Sequence, residues 1–209
     1  MATRSKKDSS AHAPINIILL GDPAAGKATQ SALLIKKYQL YDFDMGKELN
    51  VRRAKDKKLD AILKGNTDKG NLTPTQIVRG IHLEMIKKIP ASKGILYDGH
   101  PKMLGEAKLV SKLLKEYKRT EPVVLYISIP LSETVKRMND RTGYFTGKFG
   151  KRADDSDAAL KNRVRYYRKN ISQVVAFFSS KFKYKKINGL GTVREVEKRI
   201  NKVMESLSR

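Results

Sequence analysis

The chain has 209 residues, no cysteine, 40% hydrophobic residues and a formal charge of +23. Its length and apolar content suit one domain with a single core, and no run of about eighteen apolar residues offers a membrane span. Without cysteine neither a disulfide nor a thiolate metal site can form, and the N-terminus lacks the apolar centre of a secretory signal, so the composition fits a cytoplasmic protein.

Residues 1–13 read as a flexible basic tail. Ile15 to Leu20 form an apolar run broken only by Asn16. That pattern predicts a strand buried on both faces of a parallel sheet. The next residues, Gly21, Asp22, Pro23, Ala24, Ala25, Gly26 and Lys27, carry the spacing G-x-x-x-x-G-K. In such a loop the backbone N–H groups converge on one point, and with the positive end of the following helix they seat a phosphate. Lys27 adds a charge able to reach the β- and γ-phosphates. Ala28 stands where a hydroxyl residue usually follows the lysine, so Thr29 is the candidate hydroxyl for a magnesium ion.

Thr29 to Tyr38 reads as helix. Met45 to Pro74 is charged and helical in pattern, with turns around Gly65 and Gly70, and reads as a small insertion on the rim of the sheet. Thr73 is the expected cap of the next helix, with Pro74 at its first position and Ile77, Ile81 and Met85 facing inward. GILYDGHP, from Gly94, is a short strand ending in Asp98. An acid at that place holds magnesium through water in P-loop enzymes; the alternative is a loop aspartate making turn hydrogen bonds.

A helix over Glu106 to Tyr117 and a buried strand over Pro122 to Ile129 follow. Next is a helix from Leu131 to Arg141, capped by Ser132, with Arg137 and Arg141 on one face. Thr142 to Lys151 combines three glycines with three aromatics, a hinge-like composition. The helix after it carries Arg163 and continues toward Phe177. A poorer strand over Lys183 to Ile187 and an amphipathic helix over Thr192 to Leu207 close the chain. Strands alternating with helices argue for a parallel sheet with helices on both faces.

The high charge is either a solvated lysine-rich surface or an attraction to polyanions: nucleotides, RNA or anionic lipid. The lysines are dispersed, and no RNA-recognition motif, zinc finger or aromatic-rich basic strand is present. Nonspecific, salt-sensitive binding of polyanions stays open.

From about Ile15 to Leu207 the chain resembles the adenylate kinases and, more widely, the nucleoside monophosphate kinases. Four blocks carry the resemblance in order: GDPAAGKATQ, YDGHPK, the Arg137 to Arg141 segment, and RADDSDAALKNR. It implies a three-layer α/β fold of the P-loop NTPase type over residues 14–209. It also implies a monophosphate-binding insertion at about 44–73 and a short lid at about 141–152, which without cysteine is not the zinc-bearing kind. The implied reaction is ATP plus AMP giving two ADP with Mg²⁺, in a monomer that does not enter a membrane.

The resemblance also implies roles. Lys27 holds the β- and γ-phosphates. Arg141, Arg152 and Arg163 clamp the transferring group with forked donors. Arg137 stacks on the ATP base, Gly191 belongs to the ATP side, and Asp98 and Thr29 serve the metal. Asp154 and Asp155 fasten the closed lid. The acceptor side comprises Met45, Asn50, Gly99, Lys102 and Glu106, with Arg152 and Arg163.

Departures cluster on that acceptor side. The family's T-G-D-M-L-R becomes MGKELN, so Met45 and Asn50 replace a threonine and an arginine. Its D-G-F-P-R becomes DGHPK, with His100 and Lys102, and Glu106 replaces a glutamine. Ala24 and Ala28 replace glycines in the loop. Lys102 keeps a charge without the fork, and His100 is either a new ligand or a buried structural histidine. Weak AMP binding or a different acceptor is therefore one reading beside the plain kinase. A nucleotide-binding protein without turnover, a basic nucleic-acid-associated protein on a kinase scaffold, and nucleotide hydrolysis are the others.

Overall fold

The structure, a computed structural model, describes residues 14–66, 73–140 and 157–207. The basic tail, Gly70, and the expected lid with Arg141, Arg152, Asp154 and Asp155 lie outside the described residues. Five parallel strands form one sheet in the order β2-β3-β1-β4-β5. They are β1 (Asn16–Gly21), β2 (Tyr41–Asp44), β3 (Ile95–Asp98), β4 (Pro122–Ser128) and β5 (Tyr184–Asn188). The helices are α1 (Lys27–Tyr38), α2 (Met45–Arg53), α3 (Lys57–Gly65), α4 (Thr75–Lys88), α5 (Leu104–Glu116), α6 (Leu131–Asp140), α7 (Asp157–Ser179) and α8 (Val193–Leu207).

The apolar run of β1 reads continuously because both faces of the strand are covered. Ile18 and Leu20 pack with residues of α4, α5 and α7, while Ile17 and Leu19 pack with residues of α1 and α8. All four are fully buried. The alternation expected of a half-exposed strand is absent for this reason.

Asn16, the polar exception, is 1% exposed and satisfied on both sides of its amide. Its Nδ2 donates to the backbone carbonyl and hydroxyl of Thr120 at 2.8 and 2.9 Å, and its Oδ1 accepts from the Ile95 N–H at 3.0 Å. One side chain thus ties the starts of β1, β3 and β4 together.

β2 is not expected from the sequence. It is a four-residue edge strand in which only Phe43 is buried, and Asp42 and Asp44 give it no apolar run. Asp44 ends it and caps α2, accepting from the Gly46 and Lys47 N–H groups at 2.8 and 3.2 Å. Two helix starts also differ from expectation. Ile77 and Val78 both donate to the Pro74 carbonyl, so Pro74 is the cap of α4 and the helix begins at Thr75 rather than at the proline. Ser132 lies inside α6, whose first turn closes from Thr134 N–H to the Pro130 carbonyl. Thr192 meets Glu195 in reciprocal bonds ahead of α8, the capping-box pattern.

Replacing Asn16 with alanine leaves the Ile95 N–H and the Thr120 carbonyl unpaired in the core. Two orphaned groups at the usual desolvation penalty predict a loss of about 2–4 kcal/mol, read as a lower urea midpoint at unchanged m-value.

Candidate functional site

The site is built where β1 ends. A Cβ on Gly21 would stand 2.5 Å from the Ile127 carbonyl oxygen, so the strand must leave the sheet through a glycine. Ala24 (φ 58°) and Gly26 (φ 85°) then take left-handed conformations. The alanine at such an angle stores about 1–2 kcal/mol of strain. The curl returns the chain to α1, whose first turn has no side-chain cap and no acidic residue. Its leading N–H groups are thus left for a ligand, and the helix dipole favours an anion there. The Lys27 Nζ donates to the Gly21 and Asp22 carbonyls at 2.7 and 2.8 Å. The ammonium therefore lies over the loop it is expected to serve.

Asp98 ends β3 beside β1, in register with Leu19 and Asp44. Burial pushes its carboxyl above the usual range, and Asp44 and Asp42 push the same way, while the Ser31 hydroxyl and Lys27 oppose them. Thr29 is exposed in the first turn of α1. Ser31, also on α1, is buried, and its hydroxyl makes no hydrogen bond among the described residues. One carboxylate at the strand end beside a lysine suits Mg²⁺, which keeps most of its water and takes further oxygens from substrate phosphates. Among the described residues no cluster of three or more His, Asp or Glu could hold a metal by itself.

Asp22 belongs to the loop through its backbone, and its carboxylate does not face the phosphate seat. It is buried behind the loop, accepting from the Tyr126 hydroxyl, the Ile129 N–H and Arg168 Nε. Only its backbone belongs to the seat. A cleft of about 850 Å³ between α7 and β5 is lined by Asp22, Tyr126, Ile129, Arg168, Tyr184 and Leu190. It contains neither Lys27 nor Asp98.

On the donor side, Arg137 on α6 pairs with Glu133 at 2.6 Å and reaches the Gly189 carbonyl at 3.5 Å. Gly189 packs under Ile127 and Ile129, and a Cβ there would stand 2.6 Å from the Ile127 side chain. Gly191 turns with φ 100°. Leu190 and Val193 remain exposed beside the arginine. A planar cation next to apolar side chains is suited to the face of a nucleobase. Arg163 lies on α7, one turn before Tyr167; its side chain is outside what is described.

The acceptor side differs more. Met45 is buried in the core with Leu49 and Leu63 instead of facing a ligand. Glu106 uses its Oε2 to cap α5, accepting from the Lys102 and Met103 N–H groups at 2.8 and 3.4 Å. Burial raises its carboxyl, opposed by those two N–H groups. Asn50 and Lys102 are exposed, and Gly99 turns with φ 66° between Asp98 and His100. The sequence reading missed Lys47, whose ammonium bonds the Asp42 carboxylate and lies 3.9 Å from Asp44. Its only signal was its place in the MGKELN block.

His100 is 2% exposed and His82 on α4 is 1% exposed. Their rings lie 4.8 Å apart, packed against Phe43 and Tyr97. His100 Nδ1 meets the Asp98 carbonyl at 3.1 Å, while both Nε2 atoms are buried without a partner. His100 is thus a packed histidine of the aromatic cluster. Burial lowers the His82 imidazole to about 4, and burial, then the neighbouring His82, lowers His100 well below its ordinary value.

Both imidazoles fold neutral, so unfolding takes up protons as pH falls below their ordinary value near 6.5. The stability they lend is present above that pH and is lost on acidification. For His82 alone, lowering pH from 7 to 5 predicts a loss of about 2 kcal/mol. Urea titrations at the two pH values check this, and His82→Phe should shrink the difference by about that amount, leaving the share that His100 contributes.

A family model described as adenylate kinase matches residues 19–183. The curated adenylate kinase of Bacteroides thetaiotaomicron is 31% identical over 179 residues, covering 86% of this chain and 92% of that protein. The adenylate kinase of Azobacteroides pseudotrichonymphae is 32% identical over 196 residues, covering 93% and 100%. That of Bacteroides fragilis is 30% identical over 193 residues, covering 92% and 100%. With the phosphate loop, Lys27 and Asp98 standing as described on a parallel sheet, the chain belongs to the adenylate kinase family.

Proposed function

We propose that the chain is an ATP:AMP phosphotransferase that moves the γ-phosphoryl group of ATP reversibly onto a nucleoside monophosphate. The observation that carries this is the Lys27 ammonium lying over the loop carbonyls, at the mouth of an uncapped helix and beside Asp98. When a triphosphate enters, its β- and γ-oxygens offer Lys27 stronger acceptors than the Gly21 and Asp22 carbonyls. The loop N–H groups take the phosphates without reorganising, which is how a fixed seat stabilises developing charge. Asp98 would hold Mg²⁺ through water, and the ion would supply neutralising charge to the triphosphate.

On this reading, which for these residues rests on the resemblance, Arg141, Arg152 and Arg163 are to clamp the moving phosphoryl group, Arg137 and Gly191 serve the donor side, and Asp154 and Asp155 fasten a lid over residues 141–152. The lid excludes water, which would otherwise take the phosphoryl group. An oxygen of the acceptor phosphate attacks the γ-phosphorus in line, the bond to the β-bridging oxygen breaks, and two diphosphates leave. The same reading has the protein working as a cytoplasmic monomer. Among the described residues no helix is long and apolar enough to cross a membrane.

A second reading concerns the acceptor. With Met45 in the core and Glu106 tied to the α5 cap, Asn50 and Lys102 are the exposed side chains among the described acceptor positions, leaving Arg152 and Arg163 aside. Neither has a guanidinium fork. AMP is then held weakly, or another monophosphate is preferred.

Two measurements test this. Lys27→Met should lower kcat/KM by about a thousandfold, the scale of a lost electrostatic contact to transferring charge. A coupled assay with AMP, CMP, UMP, GMP and dAMP showing no turnover for any acceptor overturns the kinase reading. Lys102→Arg should lower the acceptor KM by about three- to tenfold without changing ATP affinity, since a fork adds a second charge-assisted bond to phosphate. An unchanged acceptor KM removes Lys102 from the acceptor site.

A further inference from the structure

We infer that Asp22 and Arg168 are positioning residues: their ion pair registers α7 against the phosphate loop and so sets where Arg163 stands relative to the transferring group. This rests on the reading of Arg163 as a phosphoryl clamp.

Asp22 is a residue of the loop itself, yet its side chain is 1% exposed and turned to the back of the sheet. Four donors converge on it. Arg168 Nε and the Ile129 N–H reach it at 2.9 Å, the Tyr126 hydroxyl at 3.0 Å and the Ser128 hydroxyl at 3.3 Å. Arg168 spends its other arm on the Ile129 carbonyl at 2.7 Å. The preceding residue, Tyr167, donates its hydroxyl to the Gly21 carbonyl at 2.9 Å. Two consecutive residues of α7 therefore hold two consecutive residues of the loop. The same Gly21 and Asp22 carry the carbonyls that seat Lys27.

The carboxylate serves geometry better than stability. Only Asp22 is withdrawn from water, since the Arg168 side chain is 37% exposed, and such a pair gains little over apolar packing of the same volume. Its hydrogen bonds, however, fix direction and register, which apolar contact leaves loose. Arg163 precedes Tyr167 by four residues, about 6 Å of helix rise. An anchor one turn away transmits its register almost undiminished, and misplacement by about 1 Å is enough to slow a transfer a hundredfold.

The test uses the full-length protein with three variants, reading Tm, ATP affinity, KM and kcat. Arg168→Met removes the fork from a partly exposed side chain. The expected result is kcat lower by about tenfold or more, with ATP affinity and both KM values within about threefold. A folded Arg168→Met protein with kcat within about twofold of the parent overturns the inference. Asp22→Leu combined with Arg168→Met removes both charges; it should regain thermal stability without regaining turnover, and recovery of both overturns the inference. Arg163→Met separates the two readings. If it turns over normally, the clamp reading fails and the inference with it. If it collapses while the Asp22 and Arg168 variants stay active, the inference alone is overturned.

Discussion

The phosphate loop is held open by backbone geometry that the rest of the molecule enforces. Left to itself, Ala24 would leave the left-handed region and the N–H groups would diverge. It stays because Gly21 is pinned under the Ile127 carbonyl, the Asp22 N–H bonds that same oxygen at 2.9 Å, and α1 begins at once. The sheet therefore does more than hold up the site. β4 supplies the oxygen that anchors the loop's exit, β3 supplies Asp98 beside it, and α7 braces it from behind. A cradle so supported presents its dipoles before a ligand arrives, which is what makes it worth more than the same groups in water.

Reading the sequence located the parts whose physics is local. The β1 run, the G-x-x-x-x-G-K loop and the acid after a short strand are each written in adjacent residues, and each is found where that pattern places it. β2 was illegible because an edge strand with one buried residue has no apolar signature. The side-chain roles of Met45, Glu106 and Asp22 were illegible for another reason. Alignment with a motif says which position a residue occupies, whereas burial and hydrogen-bond partners decide which way it turns. Glu106 occupies a base-reading position in the resemblance and caps a helix in the structure. Arg168 gave no signal, because its partner is 146 positions away in sequence.

The two halves of the site are asymmetric in charge chemistry. On the donor side Lys27 donates to the Gly21 and Asp22 carbonyls and also acts on the Asp98 carboxyl, which it lowers. On the acceptor side the nearby cations already hold carboxylates: Lys47 on Asp42, and Arg52 on Glu84 at 2.6 Å and on Glu48 at 3.5 Å. An anion reaching Lys47 or Arg52 would compete with those acids, whose charges also repel it. Lys102 is exposed, and it acts on the Glu106 carboxyl, which it helps to lower.

Long-range charge acts on this asymmetry in one direction. At a formal +23 the net field favours anions near the surface before any specific contact forms. A field of this kind acts most on the most highly charged anions and does not distinguish bases. It falls within about 8 Å at physiological salt, so the fixed groups of the cleft still decide orientation. Affinity drawn from the field and geometry drawn from the loop are separable: the first falls as salt is added, while the second persists as long as β4 and α7 hold Gly21 and Asp22 in place.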